Sequence, residues 1–291
     1  MDNGNFDLGE YNKKQDEYLG MTVWWEVDPC CISLEDVNFV FDKYGFEKDS
    51  IRKPSCKKAF SRATSATEKS HKGVLARRIV DVPQKSVVGV VGEVANEESE
   101  SLTYKQEATI RLNKEKRTIE SYGDESIGSE FRNSYEKYLD VVTEADLRAF
   151  VRKMIESNDG IRLRQKGLVY FIPRKNENKI MDLDKMLREI KVGKLGLMRV
   201  VNGVRERKET WDSFADNIEE RVSETLEKVS KIGKRAGCLA KHEDRMNEIK
   251  KMADAYIGLC EEEEKVEDIR SMLENAGNKI TEKMAELNEV K

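Results

Sequence analysis

The residues best suited to chemistry in this chain are basic side chains around one short segment, GIRLRQKGLVYFIP, at residues 160–173. On an extended strand, Arg162 and Arg164 lie on the face opposite Ile161 and Leu163, because successive side chains alternate. Guanidinium and ammonium groups on one face are suited to contacting phosphates. The candidate nucleic-acid contacts are Arg152, Lys153, Arg162, Arg164, Lys166, Arg174 and Lys175.

The elements around these residues are predicted to be a helix followed by a hairpin. Residues 143–155 have apolar positions at helical spacing, and strands at 161–165 and 168–172 are joined by Lys166 and Gly167, which is hairpin turn chemistry. A helix followed by a basic two-stranded wing is the arrangement of winged-helix DNA binders, whose phosphate contacts give salt-sensitive affinity. We prefer an ordinary amphipathic hairpin with a basic polar face, because only one helix is well placed to be a recognition helix.

Groups that could act as nucleophiles or metal ligands are few and poorly spaced. The chain has 2 histidines and 5 cysteines, with no CxxC pair, no HExxH frame and no GxxxxGK[ST] loop. The cysteines, expected to be reduced, are Cys30, Cys31, Cys56, Cys238 and Cys260. We therefore expect no cofactor, no metal site and no catalytic residue of these types. A carboxylate-based or metal-dependent enzyme stays as a third alternative, because 56 acidic residues could hide any pair.

Composition predicts a modest core combined with long solvated helices. The 291 residues include 52 Lys+Arg and 56 Asp+Glu, which gives a net charge of −4, and 37% of residues are charged against a usual share of about 25%. The near-neutral balance excludes a generally basic nucleic-acid coat but not a local basic face. No stretch approaches the ~18 consecutive apolar residues of a membrane helix, and the polar, acidic N-terminus is unlike a signal peptide. We expect a cytoplasmic protein that does not contact a membrane.

The predicted fold class is α+β: a small, mostly antiparallel sheet with helices, followed by a long coiled-coil-like C-terminal helical arm. The antiparallel sheet is expected because no connection between the β-like segments holds a helix long enough for a parallel crossover. The predicted regions are a flexible tail at 1–19, an α+β domain at 20–125, a helix-hairpin-helix-strand region with a winged-helix-like character at 126–204, and the helical arm at 205–291.

The first predicted strand has two adjacent tryptophans, and one of them is a candidate for contact with a partner protein. Trp24 and Trp25 point to opposite faces of a strand, so at most one of them can fill the same core. The other would cover a second layer or contact a partner, where tryptophan is enriched. We prefer burial of both side chains.

The C-terminal arm has an apolar seam that is suited to helix pairing. Positions from Met252 onward recur every seven residues, which is the coiled-coil period. We prefer a role between chains over a hairpin within one chain, because a seam this narrow is poorly buried by one chain alone. The candidate oligomerisation residues are Trp211, Phe214, Ile218, Val222, Leu226, Met252, Leu259, Val266, Leu273, Ile280 and Leu287.

The segment at 160–173, together with TEADLRAFVRKMIES upstream, resembles an uncharacterised family found in prokaryotic viruses and plasmid-like elements. The matching positions are Gly167, Val169, Tyr170, Phe171 and Pro173. This resemblance implies a mobile-element origin and supplies neither an activity nor catalytic residues.

The function favoured by these observations is non-enzymatic: an oligomeric scaffold or binding protein that acts through an assembled surface. The origin implied by the resemblance would extend this function to sequestering or blocking a host protein, including a defence component. The expected partners are a second copy of the chain, with a host or viral protein and nucleic acid as further candidates. The alternative is a DNA-associated protein that contacts phosphates through the basic hairpin.

Overall fold

The computed structural model describes residues 18–47, 50–51, 53–71, 73–96, 101–164, 167–232 and 239–289. Backbone contacts divide the chain into two units. The split unit combines residues 1–27 with residues 151–291, and the inserted unit comprises residues 28–150. The tail predicted at 1–19 falls mostly outside the described residues, although Tyr18 and Leu19 already belong to a strand.

The α+β class is confirmed, because strands and helices are mixed along the chain. The strands are β1 (Tyr18–Val27), β2 (Cys31–Ser33), β3 (Val74–Asp81), β4 (Lys85–Asn96), β5 (Ser101–Asn113), β6 (Thr118–Gly123), β7 (Val141–Thr143), β8 (Ile161–Arg162), β9 (Tyr170–Pro173) and β10 (Gly193–Val201). The helices are α1 (Leu34–Lys43), α2 (Cys56–Ser70), α3 (Glu125–Leu139), α4 (Glu144–Ser157), α5 (Glu177–Glu189), α6 (Val204–Ser230), α7 (Ala240–Tyr256) and α8 (Glu263–Glu289). Within the described ranges, every helix is too short or too polar to cross a membrane.

The main sheet of the inserted unit is an antiparallel meander in the order β3-β4-β5-β6. The sequence pattern predicts β-like segments at 74–82, 87–94, 101–112 and 117–121, and these four strands confirm them. Their alternating apolar residues, including Val88, Ile110 and Leu112, share a core with α2 and α3. Phe60 of α2 and Phe131 of α3 meet in this core with ring centroids 5.1 Å apart. The sheet is therefore held by burial of one face against two helices.

Short polar caps set the helix starts of the inserted unit, as their sequence patterns predict. The Ser33 hydroxyl accepts the Asp36 backbone N–H at 3.0 Å, which satisfies a free donor at the start of α1. Gly45, with φ +70°, follows the end of α1 in the left-handed region that glycine tolerates. At α4, the Asp146 carboxylate accepts the Thr143 backbone N–H at 3.1 Å and the Thr143 hydroxyl at 3.0 Å.

The split unit contains an antiparallel sheet in the order β10-β1-β9-β8. Strand β1 pairs with β10 on one side, with Trp25 opposite Leu195, and with β9 on the other, with Thr22 opposite Phe171. Because β1 pairs with both β10 and β9, it belongs to the same unit as the C-terminal part of the chain. The boundaries differ from the predicted domains at 20–125 and 126–204 for this reason, since pairing across more than a hundred residues leaves no local trace in the sequence.

Helices α6, α7 and α8 form one hydrophobic core within the split unit. Phe214 of α6 stacks on Tyr256 of α7 with ring centroids 4.7 Å apart. The Phe171 ring of β9 packs against the same Tyr256 ring, with a centroid separation of 6.0 Å. Leu273 of α8 is buried in the same core. Long C-terminal helices are thus present as predicted, while their coiled-coil character stays a prediction.

Candidate functional site

The basic hairpin predicted around residues 160–173 is present in a shorter form. Strands β8 and β9 pair antiparallel, with Ile161 opposite Phe171 and Arg162 opposite Tyr170. The turn residues 165–166, including Lys166, lie outside the described residues. Since β9 also pairs with β1, the hairpin is the border of a four-stranded sheet rather than a separate two-stranded wing.

Arg162 makes contacts within the chain that hold both its side chain and its backbone. Its Nε donates to the Tyr170 hydroxyl at 3.1 Å, and its Nη2 lies 3.7 Å from Glu156 Oε1. The hydrogen bond to Tyr170 raises the pKa of the guanidinium, which stays charged. Asn217 of α6 accepts the Arg162 backbone N–H at 3.1 Å and donates to its carbonyl at 2.8 Å. Arg162 is therefore a residue that joins β8 to α6.

Two of the other predicted phosphate contacts have partners within the chain. Lys175 lies 2.8 Å from Asp159, and the Arg174 guanidinium lies 4.4 Å from the Tyr18 ring centroid. Both of these side chains are nevertheless exposed, as are those of Arg152, Lys153 and Arg164. Phosphate binding by this surface stays a prediction, and these exposed side chains are its best remaining members.

The apolar seam predicted for oligomerisation is buried within one chain. Phe214, Ile218 and Ile280 are at most 1% exposed, and most other members of the set are nearly as buried. Leu226 and Leu259 pack at the border of the same core, while the Leu287 side chain lies outside the described residues. The premise that one chain cannot bury this seam is wrong, because α6, α7 and α8 cover one another's apolar faces. Use of these residues between chains would require the helices to separate.

A strand edge that sequence reasoning missed is found at β10. This strand is the outermost member of its sheet, and its Leu195 N–H donates to Asp184 of α5 at 2.7 Å. Since that bond points away from β1, the alternation of an antiparallel strand also directs the backbone groups of Leu197, Arg199 and Val201 outward. Exposed strand edges of this kind are templates for pairing with another chain. The sequence pattern identified the strand but contained no signal of its place in the sheet.

Exposed apolar side chains lie beside this edge. Trp25 is 7% exposed, whereas Trp24 is 36% exposed and Met198 is 60% exposed. The preference for burial of both tryptophans is therefore wrong for Trp24, whose indole lies over Gly196 of β10, a position with no room for a Cβ. Glu26 and Lys194 form a 3.3 Å ion pair on the same two strands. An apolar centre with a charged border is typical of a protein contact surface.

One cysteine and one histidine of the inserted unit have defined surroundings in the structure. Burial and the nearby Glu144 carboxylate raise the pKa of the Cys30 thiol to about 11, so it stays protonated at neutral pH. His71 lies beside Glu130, with Nε2 and Oε2 3.4 Å apart. Among the described residues, no group of three or more His, Cys, Asp or Glu side chains is placed to hold a metal ion.

Comparison with known proteins places the chain in a family without assigning an activity. No curated protein and no solved structure matches the chain. A family model described as a family of unknown function, DUF6744, matches residues 18–289. The match covers nearly the whole described chain, including both units, and leaves the resemblance to mobile-element proteins as a prediction. The chain belongs to the DUF6744 family.

Proposed function

We propose that this protein is a non-enzymatic scaffold or binding protein that self-associates through the edge of β10. The observation that carries the proposal is the outward-facing backbone of Leu197, Arg199 and Val201 beside the exposed side chain of Met198. Pairing of two identical edges extends each four-stranded sheet across a two-fold axis. Most soluble homo-oligomers have this closed symmetry.

The side chains of β10 favour one register for this pairing. Leu197 and Arg199 both direct their backbone groups outward, so a hydrogen-bonded pair of Leu197 with Arg199 of the second copy places Met198 opposite Met198 on the axis. In each copy Trp24 is the diagonal neighbour of Met198 on the adjacent strand β1, because Trp24 lies opposite Gly196 and Thr22 lies opposite Met198. This register keeps the two Arg199 side chains apart and brings the Met198 and Trp24 side chains of both copies close together.

The expected affinity is modest. Each backbone hydrogen bond contributes about 0.5–1.5 kcal/mol, and burial of each Met198 contributes about 1.5–3 kcal/mol. Loss of translational and rotational freedom opposes association by about 4–15 kcal/mol. Four such bonds and two methionines exceed the smallest of these costs by at most about 8 kcal/mol, which corresponds to a micromolar Kd. We therefore expect a reversible dimer at micromolar or higher concentrations. A scaffold of this type assembles when its local concentration rises.

Disulfide trapping tests the register directly. In a non-hydrogen-bonded antiparallel pair the two Cα atoms are about 4.5 Å apart, within the range that a disulfide spans. Met198→Cys is therefore expected to form a covalent dimer under mild oxidation, above the level seen for the wild-type chain with its native cysteines. Met181→Cys on α5, where Met181 is 38% exposed, is the matched control.

Light scattering completes the test. The wild-type mass should rise with concentration towards that of a dimer, and Met198→Asp should remain a monomer because it places two carboxylates opposite each other. A wild-type monomer at every concentration up to hundreds of micromolar would refute self-association. A dimer that Met198→Asp leaves intact, or equal trapping of Met198→Cys and Met181→Cys, would assign the interface to another surface.

A further inference from the structure

Two turns of the inserted unit lie side by side at one end of its main sheet. The β3–β4 turn spans residues 82–84 and the β5–β6 turn spans residues 114–117. The Lys114 backbone N–H donates to the Gln84 carbonyl at 2.9 Å, and Lys114 Nζ donates to the Val82 carbonyl at 2.5 Å. These bonds join the turns into one surface, which we call the basic end.

Asp81 gathers basic side chains from three separate elements at this end. Lys114 Nζ lies 2.6 Å from Oδ1 of Asp81, Lys57 Nζ lies 2.8 Å from Oδ2, and Arg78 Nη1 lies 3.5 Å from Oδ2. The Ser86 hydroxyl donates to the same carboxylate at 2.8 Å. The bonds from Lys114, Lys57 and Ser86 lower the pKa of Asp81 well below its usual range. One carboxylate therefore neutralises only part of the positive charge around it.

Further cations extend the surface along the two turns. The exposed ones are Lys85, Lys116 and Arg117. Glu115 is the acidic residue on the β5–β6 turn, so the basic end has an excess of positive charge in a chain whose net charge is −4.

The start of helix α2 adds to this positive potential. Lys57 and Lys58 lie in its first turn, which has no acidic residue. The first turn of a helix favours negative side chains because of the helix dipole, so lysines there lower the stability of the isolated helix. Each of these lysines has a carboxylate partner, Lys57 with Asp81 and Lys58 with Asp146, which offsets that cost.

The basic end is held rigid by contacts to its backbone. The Asn113 side chain accepts the backbone N–H groups of Glu115 and Lys116 at 3.1 and 3.0 Å. The Tyr135 hydroxyl donates to the Arg117 carbonyl at 3.1 Å, and Arg117 has φ +55°. The turn backbone is therefore ordered before binding, and only the long side chains lose freedom when they contact phosphates.

We propose that the basic end binds the phosphate backbone of nucleic acid. Its cations are spread over two turns and a helix start rather than enclosing a pocket, which suits a chain of phosphates better than one small anion. Contacts of this kind are independent of base sequence and depend on release of counterions. The inference does not require self-association, because the basic end lies on the inserted unit and β10 on the split unit.

Fluorescence anisotropy of a labelled DNA duplex tests the proposal at about 50 and about 200 mM salt. If about four phosphates are contacted, the affinity should fall about 100-fold between the two salt concentrations. The test variant combines Lys85→Gln, Lys116→Gln and Arg117→Asn, since asparagine tolerates a positive φ. It should bind at least tenfold more weakly than the wild-type protein and with a smaller salt dependence.

The control variant removes equal charge from exposed lysines of α7, through Lys241→Gln, Lys250→Gln and Lys251→Gln. We expect the control variant to bind DNA like the wild-type protein, with both variants showing wild-type circular dichroism. Absence of wild-type binding at low salt would overturn the proposal. An equal or greater loss in the control variant would show attraction by overall charge without a defined site at the basic end. Light scattering on the same samples reports self-association separately.

Discussion

Replacement of Asn217 by alanine should uncouple α6 from the β8 edge. The Asn217 side chain is 8% exposed, and its amide satisfies both the N–H and the C=O of Arg162 and donates to the Ser213 carbonyl at 2.7 Å. Alanine leaves the two Arg162 backbone groups without these partners, and each orphaned buried group costs about 1–3 kcal/mol. Alanine is also the better helix former by about 0.5 kcal/mol, which offsets part of the loss. The free energy of unfolding should therefore fall by about 2–5 kcal/mol.

Urea unfolding followed by circular dichroism measures this change. The matched control is Asn275→Ala on α8, where the exposed amide makes a 3.5 Å contact with the Ser271 hydroxyl. The control variant has the same gain in helix propensity and leaves no buried backbone group without a hydrogen-bond partner. Its free energy of unfolding should therefore be unchanged or about 0.5 kcal/mol higher. If Asn217→Ala unfolds at the same urea concentration as Asn275→Ala, the bridge from α6 to β8 contributes nothing and the reasoning fails.

Two further predictions concern titrating groups. Burial of Asp146 acts to raise its pKa, but hydrogen bonds from Lys58, Arg62 and a backbone N–H outweigh it and lower the pKa to about 2. The stability that this carboxylate contributes is therefore present above pH of about 4 and is lost as the pH falls towards 2. Unfolding curves should show that Asp146→Asn is about 1–2 kcal/mol less stable than the wild-type protein at neutral pH. The stability of this variant should also depend less on pH in the acid range. The raised pKa of Cys30, about 11, should slow its alkylation at pH of about 8 by about 100-fold relative to the unfolded chain, as read by mass spectrometry. Equal rates in folded and unfolded protein would contradict this environment for the thiol.

Local structure in this protein follows from the sequence alone. The cap at Ser33, the strand alternation around Ile110 and the helical spacing around Phe214 involve residues within a few positions of one another. Hydrogen bonding and side-chain periodicity over such short separations are properties of the local chain, so the pattern predicts the element. The basic segment around Arg162 was also visible in the sequence.

Tertiary structure alone decided which surfaces are available. Pairing of Trp25 with Leu195 made β1 central and left β10 as an edge, and folding of α6, α7 and α8 onto one another buried the seam that was predicted to join chains. Lys57 and Lys114 are far apart in the sequence and meet at Asp81 only because two turns and a helix start converge. Long-range pairing and burial depend on the sum of many weak contacts over the whole fold, and no local pattern of residues encodes that sum.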